Sequence, residues 1–493
     1  MTPTTFHILI YGCQMNYADS ARIKAVLTNA GMQYVSDINQ AHLIIFDTCS
    51  VRQKSEDKVT GKMLEIRPDQ KVRMTGCMIQ HNLKNHLIKK RATRAKAKLH
   101  YGNFIGGVKS INPDIIGRTN AIEDDIKNIQ DPSNVVYVNN MFSPLRSTLN
   151  QQFPNIELFF RIDDTGFLPL LASKLGYTVT INHDLTNEYS SIIPHNSNQL
   201  FTEHTKTAFV PISTGCSQFC SYCIVPYSRG LEKNRPLDEI ISEVKHHLDH
   251  GIQEIVLLGQ IVNKHPDFVS ICKTILTLPG LKRLRYTSPY PTFFSDELLK
   301  LHTNEPAMCP HIHMPLQSGS DHMLRKMFRG YTASDYRTFV DKIRSIDRPI
   351  SITSDIIVGH PDETEHDFQD SLDMITYAQF DMIYIGIYSP RPGTLGAKKY
   401  EDNIPMKVKK ARWSEMNDLL RSLSLKNNQQ DRDTIKEVMV TRQLKNGSFF
   451  GYTDSMKNII IESSNRINKD MIGNIIHCKI LGAEAFKLFG ECC

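Results

Sequence analysis

Two patterns of apolar residues alternate along most of this chain. Short unbroken apolar runs are typical of buried strands, and longer stretches with an apolar residue every three or four positions are typical of helices. In the first part of the chain, runs at 8–13, 42–49 and 71–77 predict strands, and the stretch 17–29 predicts a helix. Because the intervals between the runs leave room for helices, we predict β-α-β units and a parallel sheet.

The same alternation continues through the middle of the chain. It is typical of a βα barrel or partial barrel, in which polar strand ends line a pocket at the carboxyl face. The predicted strands lie at 207–213, 254–260, 283–288, 311–316, 351–359 and 380–388, and predicted helices at 237–250, 334–346 and 365–378.

From position 432 the pattern changes to short runs separated by turn residues. Five such runs predict a small antiparallel β-barrel, at 437–442, 448–453, 458–462, 473–480 and 486–491. The predicted fold class is α/β, with domains at 5–201, 202–431 and 432–493. The stretch from Cys77 to Cys216 is the least regular and includes an atypical segment at 105–200, although 155–164 and 165–176 predict one more strand and helix.

Composition narrows the class of protein. The 493 residues, 40% hydrophobic and 22% charged, predict about three folded domains rather than a disordered chain. No apolar run reaches the roughly 18 residues of a membrane span, and the start of the chain lacks the features of a secretory signal. We therefore expect a cytoplasmic protein with no membrane partner. The 11 cysteines argue against a disulfide scaffold, because their number is odd and the chain is long.

One group of cysteines is tightly spaced. Cys216, Cys220 and Cys223 form a CxxxCxxC motif just after the first predicted barrel strand. Three thiolates can hold three irons of an iron–sulfur cluster and leave the fourth open for a small molecule. The alternative is a zinc site with a distant fourth ligand, since structural zinc usually takes four ligands in CxxC-type pairs.

A second group is dispersed but shares a context. Cys13, Cys49 and Cys77 each stand at the end of a predicted strand. The carboxyl ends of parallel strands lie on one edge of the sheet, so these thiols can converge on a second cluster. The alternative is that each is a small buried hydrophobe, as free cysteine often is. The other five are predicted to pack or to lie in a terminal tail: Cys272, Cys309, Cys478, Cys492 and Cys493.

The net charge of +6 permits a nucleic-acid partner. The segment 81–98 holds seven basic residues and no acidic one, and a second basic patch consists of Lys407, Lys409, Lys410 and Arg412. A solvated helix face explains such a run equally well.

Taken together, these features resemble the radical S-adenosylmethionine methylthiotransferases, and most closely the branch that acts on isopentenyladenosine in tRNA. The family has the same features in the same order along the chain: three strand-end cysteines, then CxxxCxxC, then a terminal β-barrel. The resemblance covers nearly the whole chain except 105–200. The matching segments are 12–16, 48–52 with Lys54, 76–78, 220–230, 257–260, 316–320 and 391–394.

The resemblance implies two 4Fe–4S clusters. Cys216, Cys220 and Cys223 would hold the cluster that binds S-adenosylmethionine and generates a 5′-deoxyadenosyl radical. Cys13, Cys49 and Cys77 would hold an auxiliary cluster that carries or supplies sulfur. The radical would take hydrogen from carbon 2 of an isopentenylated adenine beside the tRNA anticodon, and a second S-adenosylmethionine would donate the methyl group. The resemblance also implies an electron donor protein and identifies 432–493 as an RNA-binding TRAM domain.

The C–H bond at carbon 2 of the adenine is unactivated, and acid–base catalysis by a side chain would not break it. The cofactor must supply a radical, so no catalytic side chain is predicted. Tyr222, Gln260 and Asn263 are candidates for contacts to S-adenosylmethionine, with ordinary loop packing as the alternative. Five residues depart from the pattern of the family: Asp47, Ile261, Tyr290, His360 and Asp362. None of them is a predicted cluster ligand, so they put in question the affinity for substrate or cofactor rather than the chemistry.

Two other functions remain open at this point. The chain is also compatible with a methylthiotransferase for another substrate, such as threonylcarbamoyladenosine in tRNA or a ribosomal protein. A non-catalytic RNA-binding protein with a structural zinc or iron site is the third possibility.

Overall fold

The computed structural model describes residues 4–49, 53–79, 153–160, 162–180, 192, 206–464 and 466–493. They belong to two compact units. The first lies within Met1–Ser197, Thr214–Gln218 and Cys223–Lys233, and the second within Asn198–Ser213, Phe219–Tyr222 and Asn234–Cys493. Within the described ranges, no helix is both long and apolar enough to cross a membrane. The basic segment 81–98, and most of 105–200, lie outside the described residues.

The first unit is built on a parallel sheet, as predicted, and the sheet has five strands. Its strands are β1 (Thr5–Tyr11), β2 (Gln33–Tyr34), β3 (Leu43–Thr48), β4 (Lys71–Gly76) and β5 (Ile156–Phe159), in the spatial order β2-β1-β3-β4-β5. Its first helices are α1 (Gln14–Asn29), α2 (Gln53–Met63) and α3 (Leu168–Lys174). The predictions of a strand within 155–164 and a helix within 165–176 are confirmed by β5 and α3.

Helix α1 begins three residues before the predicted start at Tyr17. The cause is Asn16, whose side-chain Oδ1 accepts a hydrogen bond from the backbone N–H of Cys13 at 3.1 Å. The Asn16 N–H in turn donates to the Cys13 carbonyl at 2.9 Å. Because these bonds satisfy backbone groups at the helix start, the first turn forms directly after Cys13.

The chain then reaches β6 (Thr207–Pro211) and passes through the cysteine motif before the remaining strands of the second unit. The elements around the motif are β7 (Ser213–Thr214), α4 (Val225–Arg229) and β8 (Lys233–Asn234).

The second unit contains six strands in two parallel sheets, ordered β10-β9-β6 and β11-β12-β13. A parallel bridge joins Leu284 on β10 to Met308 in the segment just before β11. The two parallel sheets confirm the predicted α/β partial barrel. The strands are β9 (Glu254–Leu258), β10 (Arg283–Tyr286), β11 (His311–His313), β12 (Ser351–Val358) and β13 (Met382–Ile387). The helices are α5 (Leu237–Asp249), α6 (Phe268–Leu276), α7 (Asp296–Asn304), α8 (Asp321–Lys326), α9 (Ala333–Arg344), α10 (Glu365–Ala378), α11 (Leu395–Lys399) and α12 (Met406–Gln429).

The last five strands close into a barrel, as predicted. They are β14 (Ile435–Gln443), β15 (Phe449–Thr453), β16 (Asn458–Ile461), β17 (Ile475–Glu484) and β18 (Lys487–Cys492), in the order β14-β15-β16-β18-β17. Four of its five strand pairs are antiparallel, as predicted, and β16 and β18 run in parallel. Five is an odd number, so strands that alternate in direction cannot close a ring without one parallel pair.

Acid is expected to destabilise the second unit through His302. This side chain is fully buried, and its Nε2 lies 2.6 Å from the Tyr286 hydroxyl. Burial, aided by the charge of Arg348, lowers the pKa of His302 to about 3. Its stabilising contribution is therefore complete above the unfolded-state pKa, near 6.5, and is lost as the pH falls towards the folded value. We expect a loss of about 2 kcal/mol in unfolding free energy between pH 7 and pH 5.

The measurement is urea unfolding followed by fluorescence of Trp413, the single tryptophan of the chain. The matched variant His302→Gln keeps a polar side chain and removes the titration. It should lose less stability over the same pH interval. Equal losses in the two proteins would contradict the assignment of this acid sensitivity to His302.

Candidate functional site

The three dispersed cysteines follow three neighbouring strands. Tyr11 at the end of β1 is in register with Thr48 at the end of β3, and Thr48 is in register with Gly76 at the end of β4. Cys49 and Cys77 come directly after their strands, and Cys13 lies two positions beyond β1. Adjacent strands lie about 4.8 Å apart, so the three thiols start from one short edge of the sheet. Their role as cluster ligands stays a prediction.

This edge requires a glycine at the end of β4. Gly76 has a φ of +94°, and a Cβ there would lie 2.1 Å from the Thr48 carbonyl oxygen. A side chain would therefore push β3 away from β4 at the point where Cys49 and Cys77 follow.

Gly76→Ala is expected to lower the unfolding free energy of the first unit more than a backbone effect alone would. The matched control is Gly31→Ala, because Gly31 has a similar φ of +89° but nothing within 4 Å of its Cβ position. The control should cost about 1–2 kcal/mol, and Gly76→Ala clearly more, because the clash adds to the strain. Urea unfolding followed by circular dichroism measures both, and equal costs would contradict the clash.

Behind Cys13 lies a buried polar network. The Cys13 Sγ lies 3.6 Å from the side-chain oxygen of Asn16, whose Nδ2 donates to Asp47 Oδ1 at 2.7 Å. The Asn16 Nδ2 also lies 3.2 Å from the Thr48 carbonyl, and Ser20 donates to Asp47 Oδ2 at 3.0 Å. These bonds fix the loop between β1 and α1 relative to the end of β3.

Asp47 stands where the resembled family commonly has asparagine. Burial and the neighbouring Asp19 raise its pKa, and hydrogen bonds from Asn16 and Ser20 together with the charge of Arg229 oppose this only in part. A raised pKa favours the neutral acid, which is similar in shape to an asparagine side chain and, like it, can donate as well as accept hydrogen bonds. In the structure both Asp47 oxygens accept a hydrogen bond, Oδ1 from Asn16 and Oδ2 from Ser20.

Arg229 is a site residue that sequence reasoning did not single out. It ends α4, is 7% exposed, and donates from Nε to Cys77 Sγ at 3.2 Å and from Nη2 to Asp19 Oδ2 at 2.5 Å. Burial alone would lower its pKa, but the charges of Asp19, Cys77 and Cys13 raise that pKa well above its ordinary value. Arg229 was visible in the sequence only as part of the motif segment 220–230.

The CxxxCxxC motif is divided between the two units. In the first, the Cys216 N–H donates to the Gly230 carbonyl at 3.0 Å. In the second, Ser221 holds the residue beside Cys220 in place: its N–H donates to Met327 at 3.0 Å and its carbonyl accepts from Gly396 at 2.6 Å. Cys216 and Cys220 are buried, and Cys223 is half-buried.

Cys220 faces a cation in the second unit. Arg329 Nη1 lies 3.5 Å from Cys220 Sγ, and its guanidinium stands 4.6 Å from the ring centre of Tyr290 and 5.0 Å from that of Tyr331. The Tyr290 hydroxyl accepts a hydrogen bond from the Gly330 N–H at 2.8 Å. Tyr290, where the family commonly has histidine, thus helps to hold the cation beside the thiol.

The candidate cofactor contacts occupy different settings. Tyr222 is half-buried and interacts electrostatically with Arg329, and Gln260 is half-buried after β9. The Asn263 amide is buried and bonded at both ends to the main chain of Tyr290, through Nδ2 at 3.0 Å and Oδ1 at 2.8 Å. The structure thus gives Asn263 a loop-holding role, and contacts of all three to S-adenosylmethionine stay predictions.

Three other departures from the family pattern are accommodated within the second unit. Ile261 is buried. Burial lowers the pKa of His360 to about 4, and its ring packs edge-on against Tyr388 at 4.9 Å. Asp362 pairs with Lys326, and its N–H donates to Asn403 at 2.9 Å.

Across the described ranges, no three His, Cys, Asp or Glu side chains are grouped so that they could hold a single metal ion. A 4Fe–4S cluster makes a different demand, because each thiolate bonds a different iron and the ligands stand farther apart. The aligned strand ends and the cation beside Cys77 fit such a group, since thiolates carry negative charge and a buried thiolate needs a compensating partner.

Comparison with known proteins gives matches along the whole chain. The radical SAM superfamily matches residues 210–375, and an uncharacterized protein family, UPF0004, matches residues 5–96. The tRNA-2-methylthio-N(6)-dimethylallyladenosine synthase of Syntrophomonas wolfei is 32% identical over 509 residues, which cover 99% of this chain and 98% of that protein. The synthase of the same name from Dictyoglomus thermophilum is 32% identical over 501 residues, with coverage of 99% and 98%.

Proposed function

We propose a reaction for this chain, which belongs to the tRNA-2-methylthio-N(6)-dimethylallyladenosine synthase family of radical SAM enzymes. It converts N6-isopentenyladenosine beside the anticodon of tRNA into its 2-methylthio derivative. The observation that carries the proposal is the identity of 32% over 99% of the chain, in which both cysteine groups are present. The radical SAM match, residues 210–375, contains Cys216, Cys220 and Cys223.

We further propose three working domains. Residues 5–201 would form the methylthiotransferase domain, 202–431 the radical SAM core, and 432–493 a TRAM domain that holds RNA. The closed five-stranded barrel supports the third assignment. The two parallel sheets of the partial barrel lie within residues 202–431 and support the second assignment.

The cysteines would hold the cofactors. Cys216, Cys220 and Cys223 would hold the cluster that binds S-adenosylmethionine, and Cys13, Cys49 and Cys77 the auxiliary cluster. When bound, these groups supply a radical that can remove hydrogen from an unactivated carbon, and the sulfur and methyl group that replace it. Tyr222, Gln260 and Asn263 would lie near S-adenosylmethionine.

The protein side chains would position the reacting groups and exclude water. Arg329 and its two tyrosines orient the Cys220 segment, and the Asn16–Asp47 network orients the Cys13 loop. A splayed base in a single-stranded anticodon loop is a form of RNA that proteins can read. An electron donor protein and a cytoplasmic location complete the proposal, because the reaction consumes electrons and its substrate is tRNA.

Two measurements test this function. Anaerobically reconstituted protein should contain about eight irons, from two four-iron clusters, and should cleave S-adenosylmethionine to 5′-deoxyadenosine. Mass spectrometry of tRNA nucleosides from a deletion strain should show that 2-methylthio-isopentenyladenosine is lost and its precursor accumulates. Unchanged nucleosides would reject this substrate and leave a methylthiotransferase for another one. A single bound zinc without cleavage would reject the enzyme altogether.

A further inference from the structure

We propose that Arg229 is a positioning residue that sets the reduction potential of the auxiliary cluster, through a hydrogen bond to the Cys77 thiolate and a charge balanced by Asp19. The inference rests on the proposed function, because it requires a cluster at Cys13, Cys49 and Cys77.

The geometry supports a directed interaction rather than a chance approach. The guanidinium donates with two different nitrogens, Nε to Cys77 Sγ at 3.2 Å and Nη2 to Asp19 Oδ2 at 2.5 Å. Asp19 lies on α1 and is fully buried. A planar guanidinium with one nitrogen fixed on a carboxylate has little freedom to turn, so the bond to sulfur is held in place.

The bond from Arg229 to Cys77 is buried, which strengthens its electrostatic effect on the reduction potential. The side chains of Arg229 and Asp19 are 4% and 0% exposed, and Cys77 is buried, so water screens the charges only weakly. Reduction adds one negative charge to an iron–sulfur cluster. A hydrogen bond to a ligand sulfur and a nearby positive charge both stabilise that reduced state, so they raise the reduction potential. The Asp19 carboxylate acts in the opposite direction, because it offsets part of the guanidinium charge.

The first unit offers a matched control. Arg73 on β4 is also buried, and its Nε bonds to Glu157 Oε1 at 2.8 Å while its guanidinium stands 4.9 Å from the ring centre of Tyr177. Its partners are a carboxylate and an aromatic ring rather than a thiol. Arg73→Gln therefore removes a buried arginine and an ion pair from the same unit without removing a bond to Cys77.

The experiment uses the full chain with Cys216, Cys220 and Cys223 all replaced by alanine, so that only the auxiliary cluster can form. Its midpoint potential is measured by redox titration with dithionite, followed by electron paramagnetic resonance. Arg229→Gln should shift the potential to a more negative value, and Asp19→Asn to a more positive one. Arg229→Lys should lie between Arg229→Gln and the background protein, and Arg73→Gln should match the background.

The potential should shift in opposite directions in Arg229→Gln and Asp19→Asn, which distinguishes an electrostatic role from a structural one. An unchanged potential in both Arg229→Gln and Asp19→Asn, or a shift of Arg73→Gln equal to that of Arg229→Gln, would overturn the inference. If Arg229→Gln holds no iron, the potentials of Asp19→Asn and Arg229→Lys test the proposal instead. A potential of Asp19→Asn that is not more positive, or of Arg229→Lys that is not more negative, than that of the background protein would reject it. If the background protein itself holds no iron, the cluster assignment in the proposed function fails instead.

Discussion

Replacing Cys220 with alanine is expected to abolish cleavage of S-adenosylmethionine. A three-thiol cluster site that loses one thiol no longer holds its cluster, and without that cluster no radical forms. The rate of 5′-deoxyadenosine formation under dithionite should fall to that of the reaction without protein. The iron content should fall from about eight to about four per chain, because the other site is intact.

The matched control is Cys309→Ala. Cys309 is a buried cysteine of the same unit, and burial raises its pKa to about 11, so it stays a neutral, packing side chain. This variant should keep cleavage and about eight irons, with a stability cost on the order of 1 kcal/mol for the lost side-chain volume. Cleavage by Cys220→Ala, or loss of cleavage by Cys309→Ala, would show that the ligands are wrongly assigned.

Replacing Cys49 with alanine is expected to separate the two halves of the reaction. Cys49 follows β3 and is buried between the strand ends that carry Cys13 and Cys77. Its loss should empty the auxiliary site of iron while the CxxxCxxC motif is unchanged. The protein should therefore still form 5′-deoxyadenosine but yield no methylthio product on isopentenylated tRNA, as read by nucleoside mass spectrometry.

The two cysteine variants serve as controls for each other. Both should hold about four irons, yet only Cys49→Ala should cleave S-adenosylmethionine. Because overall iron loss is the same, a difference in cleavage cannot come from a general failure to assemble clusters. Methylthio product from Cys49→Ala would show that the auxiliary site lies elsewhere.

The strand-end thiols could be predicted because the signal is local. Each apolar run before Cys13, Cys49 and Cys77 predicts a strand by itself, and parallel strands place their ends on one edge. The first residue of α1 could not be predicted in the same way. It depends on the geometry of one side chain, Asn16, rather than on the spacing of apolar residues.

Arg229 could not be predicted from the pattern of the chain. Its partners Cys77 and Asp19 lie 152 and 210 positions away, and apolar spacing carries no information about such distant pairs. The parallel seam of the barrel is a different case. It follows from the predicted number of strands, since five alternating strands in a closed ring always leave two neighbours running in the same direction.

The position of Arg229 in the chain also bears on the order of folding. The first unit includes Cys223–Lys233, so its buried charge pair is incomplete until the ribosome has made at least the first 229 residues. A fragment ending at 201 would bury Asp19 without its cation, and an uncompensated buried charge of this kind typically costs about 3–5 kcal/mol. The buried charge pair of the amino-terminal unit can therefore form only after the motif that belongs to the other cluster has been synthesised.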